Sequence, residues 1–442
     1  MIWQQLLSAD RVGGKKATHK PNRSEFEKDF DRIIFSLPFR RLQDKTQVFP
    51  LPEDDFVHNR LTHSLEVASV GRSLGKLAGE QILVKYPELK DLLNASDIGA
   101  IVSAASLAHD VGNPPFGHSG ENAISDFFKN STLANEIAKH FSTEEWADLV
   151  NFEGNAQGFR LINQALHGLK LTYATLGAFT KYPRQSKIEN VQKGQVSQKK
   201  YGFYQSEKSV FNELAEHLGL LPRKQPNAWA RHPLAFLVEA ADDICYHIID
   251  LEDGCTLGLV SLEESIELLK PIIGETFDAK KLAAMPTQHE KLATLRALVI
   301  NKLITETVAL FIEHEEALLK GALDVPLTSL IPSSQALNKI QKLSVERIYR
   351  AKIVLEKEIA GFEVIEGLLN IMVSAVYNYT MDKATNKDKT IIRLLPQEVT
   401  HLLVKDCYYT NLRVILDFIS GMTDSHALTM YRKLKGMSLP SW

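Results

Sequence analysis

Apolar positions along this chain recur at three- and four-residue spacing, and runs of strict alternation are almost absent. Ser24 with Glu27 three residues later is a capping-box signal, after which Phe26, Phe30, Ile33 and Ile34 share one helical face. Leu61, Leu65, Ala68, Gly71 and Leu74 form a second inward stripe following Asn59. Ile98, Ile101, Val102, Ala105 and Leu107 mark a buried helix that runs out at His109 and Asp110. Leu171 to Thr180 and Leu234 to Glu252 read as further helices. Ser261 with Glu264 then opens a series of amphipathic ones near 288–319, 334–377, 397–420 and 424–435. The turn chemistry of Pro50, Pro52 and Asp54-Asp55 makes 39–56 a loop, with at most a short β-hairpin near residues 46–58. Residues 1–23, basic and glycine-containing, predict an irregular N-terminal arm. The expectation is all-α: the arm, a core at 24–255, and a helical region at 256–442 packed on the core and used in oligomerisation.

Composition narrows this only a little. The 442 residues suit two or three domains or one large helical one, with the 44% hydrophobic and 24% charged content of an ordinary globular protein. A net charge of -3 gives no global attraction to nucleic acid, so anion binding must come from local patches. Cys245, Cys255 and Cys407 are scattered without a CxxC pair and read as reduced thiols of a cytoplasmic protein. No apolar run approaches the ~18 residues of a membrane span, and the N-terminus lacks a signal-peptide pattern. One segment departs from the average: residues 181–208 carry seven Lys or Arg against two Glu. Such a stretch suits a solvated loop, a polyphosphate, or single-stranded nucleic acid with aromatics interleaved among the bases.

The candidate chemistry centres on Ser106 to Glu121. His109 and Asp110 end an apolar helix, and Gly112, Pro114, Pro115 and Gly117 force a turn. His118 and Glu121 then stand three residues apart at the start of a new helix, with Ser119 as its expected cap. In the Leu234 to Glu252 helix, Asp242, Tyr246 and Asp250 follow at i, i+4 and i+8, so they share one face. Unpaired carboxylates are costly in so apolar a helix, and these need polar partners. His63, His109, Asp110 and Asp242 make a mixed imidazole and carboxylate set. It suits a first-row divalent ion such as Mn, Fe, Co or Zn, with positions left open for water and a phosphoryl oxygen. No thiolate is near, which excludes a closed structural zinc site.

The order His63, His109-Asp110, Asp242 resembles the metal-dependent HD phosphohydrolases. Longer strings narrow the likeness: Phe39 to Gln43, Lys45 to Pro50, Arg60 to Val67, Leu107 to His118, Gly154 to Gly158, Glu239 to Asp243 and Gly421 to Asp424. Together they resemble the bacterial dGTP triphosphohydrolases and their dGTPase-like relatives over nearly the whole chain. The vertebrate SAM-and-HD-domain dNTPase is similar more distantly. The resemblance implies that His63, His109, Asp110 and Asp242 hold one divalent ion (Mn2+, Mg2+ or Fe2+, with Zn2+ or Co2+ as alternatives) and that His118 and Glu121 are catalytic. It places Arg60 on the α-phosphate, and Asn155, Lys181 and Tyr182 along the triphosphate; the charge of three phosphates also calls for cations, which Arg60, Lys181 and Lys208 can supply. Tyr246 would pack on the deoxyribose. Gln47, beside Val48, would read the 3'-hydroxyl together with Asp250.

The reaction so implied releases a deoxynucleoside and tripolyphosphate from a dNTP, dGTP favoured. His118 is the natural donor to the departing 5'-oxygen, histidine being the side chain best suited to give and take a proton. Relatives form hexamers or tetramers and respond to dNTP effectors or single-stranded DNA, which sets the expectation of a regulated homo-oligomer without a membrane partner. The alternatives are another HD hydrolase (a 5'-nucleotidase or phosphodiesterase), or a nucleotide- or single-strand-binding regulator without turnover.

Overall fold

The structure, a computed structural model, describes residues 1–14, 23–48, 58–164, 167–188 and 195–438. Among these residues the chain is helical throughout, with isolated β-bridges and no strand. One bridge, antiparallel, joins Thr46 to Asn59 at the base of the expected hairpin; residues 49–57 lie outside the described ones.

Three helices organise the molecule: Arg60–Lys85, Ala95–Ala108 and Pro233–Thr256. The first two pack side by side along most of their length. Glycines make that possible, since a Cβ on Gly75 would sit 2.9 Å from the Ile98 carbonyl. Asn59 and Asn94 start these helices, each side-chain oxygen accepting from two backbone amides of the first turn. The capping boxes expected at Ser24–Glu27 and Ser261–Glu264 are both formed.

Two apolar cores result, and they interleave along the chain. The larger joins these helices to Trp3 and Leu6 at one end of the sequence and to Leu303, Phe311 and Ile340 far along it. The smaller packs Phe116, Ile124, Phe127 and Phe152 against Val364, Leu368, Met372, Leu412 and Ile419.

Several local expectations are corrected. The described part of the N-terminal arm is not irregular: Trp3–Leu6 is helical, the Trp3 indole donates to Glu315 at 2.6 Å, and Arg11 pairs with Asp29 at 2.6 Å. Leu65 faces solvent, because the inward stripe of its helix falls on His63, Ser64, Val67 and Ala68 instead. The 334–377 helix is broken by a π-turn at Ser344–Ile348, which leads into Tyr349. The 397–420 stretch is two helices, Gln397–Thr400 and Tyr408–Ser420. Lys352–Thr380 does have the length and composition of a membrane span. Its Val364, Leu368, Met372 and Val376 are the floor of the second core, which accounts for that apolarity.

Candidate active site

The candidate metal-binding side chains come from the start of the first organising helix, the end of the second and the middle of the third. The Asn59 cap starts its helix at Arg60, so Arg60 and His63 fall one turn apart on the buried face. His109 ends Ala95–Ala108, and its Nδ1 donates to the Ser106 carbonyl at 2.7 Å, leaving Nε2 as the free lone pair. Asp242 approaches from the third helix, its Oδ1 lying 3.2 Å from His63 Nε2 and 3.5 Å from His109 Nε2. His63, His109 and Asp110 each offer an atom within 4.8 Å of the others. Asp110 Oδ2 is buried without an aligned hydrogen-bond donor, and Arg60 Nη1 stands 2.8 Å from it.

Burial works against both carboxylates. For Asp110 the charges of Arg60, His109 and His63 outweigh it, and for Asp242 those of His109, His63 and Lys181 do, so both are held below the usual range. Two imidazole nitrogens, two ionised carboxylates and an Asp110 oxygen without an aligned hydrogen-bond donor fit a divalent cation.

Past Asp110 the loop presses on a neighbouring helix. A Cβ on Gly112 would lie 2.0 Å from the Gly154 carbonyl, so only glycine permits that approach. Phe116 takes a left-handed conformation (φ 60°), uncommon for an aromatic residue, and is held there by Asp424, which accepts from its amide at 2.9 Å. Asp424 also accepts from the Thr46 amide at 3.0 Å, tying the C-terminal helices to both loops of the site.

The next helix therefore begins at Gly117, not after Ser119. Ser119 caps nothing; its hydroxyl donates to the Glu358 carbonyl at 2.6 Å. This start places His118 and Glu121 in the first turn, with His118 Nδ1 2.6 Å from Glu121 Oε2 and the Gly154 amide donating to Glu121 Oε1 at 2.7 Å. Burial of Glu121 is outweighed by His118 and Lys200, so the carboxylate stays ionised. The His118 side chain is 77% exposed, which leaves Nε2 open to a ligand.

These groups line one cavity of about 430 Å3, a volume suited to a nucleotide-sized ligand. Of the residues expected to contact substrate, Gln47, Val48, Arg60, Asn155, Lys181, Tyr182 and Tyr246 line it. Two do not. Lys208 begins the Lys208–Leu218 helix outside the lining, and Asp250 lies one turn beyond Tyr246, where its Oδ2 accepts from the Tyr349 hydroxyl at 2.7 Å.

Lys181 sits 3.3 Å from Glu239, whose charge outweighs burial and keeps the ammonium protonated. Lys200 lies 3.2 Å from Glu153; burial opposes its charge, but Glu121 and Glu153 outweigh that and raise its pKa. Elsewhere in the basic segment, Arg184 is turned inward onto the carbonyls of Gln185 and Gln198, and Lys187 pairs with Glu144. The segment's described cations are thus split between cavity and scaffold, while Glu189 and Lys193 lie outside the described residues.

Lys200, Tyr349 and Glu358 line the cavity without having been singled out from the sequence. Lys200 was hidden among equivalent lysines. Tyr349 stacks on Tyr246 with ring centroids 5.6 Å apart, and only the π-turn, invisible to a 3.6-residue pattern, brings it there.

Comparison with known proteins agrees with this geometry. Residues 60–166 match the HD domain model, and residues 332–433 match the phosphohydrolase-associated domain. A deoxyguanosinetriphosphate triphosphohydrolase-like protein of Synechocystis is 42% identical, covering 99% of this chain and all of the relative. One from Pseudomonas aeruginosa is 40% identical over the full length of both. The deoxyguanosinetriphosphate triphosphohydrolase of an Enterobacter species is 32% identical over 95% of each chain. With the HD side chains converging on one cavity and likeness running end to end, the chain belongs to the dGTP triphosphohydrolase-like family of HD-domain hydrolases.

Proposed function

We propose that this protein is a metal-dependent dNTP triphosphohydrolase that converts dGTP to deoxyguanosine and tripolyphosphate. The observation that carries this reading is the set of groups that share one cavity. Arg60, Lys181 and Lys200 supply fixed positive charge, the His–Asp set and His118 (backed by Glu121) share the same lining, and a stacked Tyr246–Tyr349 pair forms an aromatic wall. A triphosphate, a scissile phosphoester and a sugar each find a complement in that set.

His63, His109, Asp110 and Asp242 would hold the ion, which supplies Lewis acidity toward a phosphoryl oxygen and lowers the pKa of a water. Water adds to the α-phosphorus and the bond to the 5'-oxygen breaks. His118, held at Nδ1 by Glu121, delivers its Nε2 proton to that oxygen. Arg60, Lys181 and Lys200 stabilise charge spread over the phosphates, in a site where they are already oriented by Asp110, Glu239 and Glu153. Tyr246 against C2' leaves little room for a ribose hydroxyl, the basis for a deoxy preference.

The test is turnover of each dNTP and of GTP with Mn2+ or Mg2+, with products separated chromatographically. Tripolyphosphate from dGTP, absent with GTP and reduced for the other dNTPs, is the expected outcome. Orthophosphate released from nucleoside monophosphates would instead favour a nucleotidase, and metal-dependent binding without any product would favour a regulator. Sedimentation of the same preparation tests the hexamer or tetramer.

A further inference from the structure

A second cavity, of about 90 Å3, lies between the Leu37–Lys45 segment, the loop after Asp110, and the chain at 396–421. Its wall is apolar at Val111, Leu161, Val414 and Phe418, and at its rim stand the half-exposed Leu37 and Leu402. Into this apolar space projects Arg41, half-buried and with no hydrogen bond or ion pair among the described residues. Burial, offset in part by the charge of Glu398, lowers its pKa; that exposed carboxylate stands beyond ion-pair distance.

The other acid of the lining cannot serve Arg41. Asp417 already accepts from Arg160 Nη2 at 2.7 Å, Gln157 Nε2 at 2.8 Å and Gln164 Nε2 at 2.7 Å. Lys45 and His167 add basic character to the same lining. Lys45 gives two of its protons to the carbonyls of Asn113 (2.6 Å) and Ser420 (2.8 Å), and burial pushes its pKa down to about 7. A guanidinium left without an ion pair or hydrogen bond at an apolar cavity is an unfavourable arrangement that a bound anion relieves.

We propose that this cavity binds a small organic anion, with a carboxylate or phosphate-type head on Arg41 and an apolar body of a few carbons against Leu161, Val414 and Phe418. A nucleotide is too large for it, since sites for ligands of that size run to roughly 300 Å3 or more. The site is therefore separate from the catalytic cavity, although Val111, directly after Asp110, belongs to its wall.

Thermal shift of the full-length protein tests this with four probes: benzoate, phenylphosphonate, benzyl alcohol and inorganic phosphate. Benzoate or phenylphosphonate should raise the melting temperature saturably, and whichever acts at lower concentration names the head group. Benzyl alcohol, lacking charge, and phosphate, lacking the body, should shift it far less. Arg41→Gln should weaken the apparent Kd about tenfold or more, the worth of one charge-assisted contact. Leu402→Trp, which obstructs the mouth and leaves the guanidinium, should do the same, while Lys181→Met in the catalytic cavity should not. No saturable rise with either aromatic anion, or a rise that persists in both cavity variants, overturns the proposal. So does a rise lost only in Lys181→Met, which would place the ligand in the catalytic cavity.

Discussion

Asp242 and Asp250 stand on the same face of one buried helix, two turns apart, and burial acts alike on both. Their protonation is nonetheless opposite. At Asp242 the penalty is outweighed by His109, His63 and Lys181, so the carboxylate is held well below its usual range. At Asp250 the penalty dominates, the charges of Asp253 and Asp242 add to it, and the Tyr349 hydrogen bond compensates only partly, so the pKa is raised to about 8. One end of the face therefore offers an ionised ligand for a cation. The other offers a carboxyl that is largely neutral near pH 7, suited to its hydrogen bond with an uncharged hydroxyl, that of Tyr349. Residue type and spacing are identical in the two cases; the neighbours contributed by other elements decide.

The contrast can be broken most severely at its charged end. Asp242→Ala or His109→Ala should eliminate stoichiometric Mn2+ binding in isothermal titration and reduce turnover to background, because each removes a donor from a set of four. Retention of metal binding by Asp242→Ala would leave the third helix without a role in the metal site. Next in size is the acid–base pair: His118→Gln should cost roughly 10²–10⁴ in kcat, the usual worth of a positioned proton donor, with little change in metal affinity. Equal losses of kcat and metal binding would make His118 a structural residue instead.

Lys200 and Lys208 sharpen the comparison at lower cost, as two lysines of one basic segment with different surroundings. Lys200→Ala should raise KM for dGTP by about 10–100-fold, the worth of one charge-assisted contact, whereas Lys208→Ala should leave KM unchanged. The reverse result would mean that the catalytic cavity extends to the Lys208–Leu218 helix in the working enzyme.

These pairs also mark where the sequence is legible. Helices were readable because capping boxes at Ser24 and Ser261 and apolar spacing at 98–107 are local signals. The His–Asp set was readable because its members sit in distinctive strings. The choice of Lys200 over Lys208 was not, since which lysine of a charged loop turns inward depends on Glu153, about 50 residues earlier. Tyr349 escaped for a related reason, as its place opposite Tyr246 depends on an irregular turn between two helices. Asp424 belonged to a matched string, but its task of holding Thr46 and Phe116 appears only in three dimensions.

The neutral end of the face gives the smallest effect and the clearest sign. An unfolded Asp titrates near pH 3.9, so between about pH 4 and pH 8 the folded protein retains a proton on Asp250 that the unfolded chain releases. Stability is then fully present below pH 4 and declines as pH rises through that window, by up to about 1.4 kcal/mol per pH unit for this one group. Asparagine reproduces the shape of the protonated acid and can still accept from the Tyr349 hydroxyl, but it carries no charge to bury. Asp250→Asn should match the wild type near pH 4 and melt several degrees higher at pH 8, a flattening measurable by thermal unfolding from pH 4 to 9. Its kcat and its KM for the deoxynucleotide should both hold within a few fold, as expected of a group outside the cavity lining that bonds to the Tyr349 hydroxyl and not to a metal. Parallel melting profiles for the two proteins would mean that Asp250 is ionised in the folded state, and the two ends of the helix face would then differ in partners but not in charge.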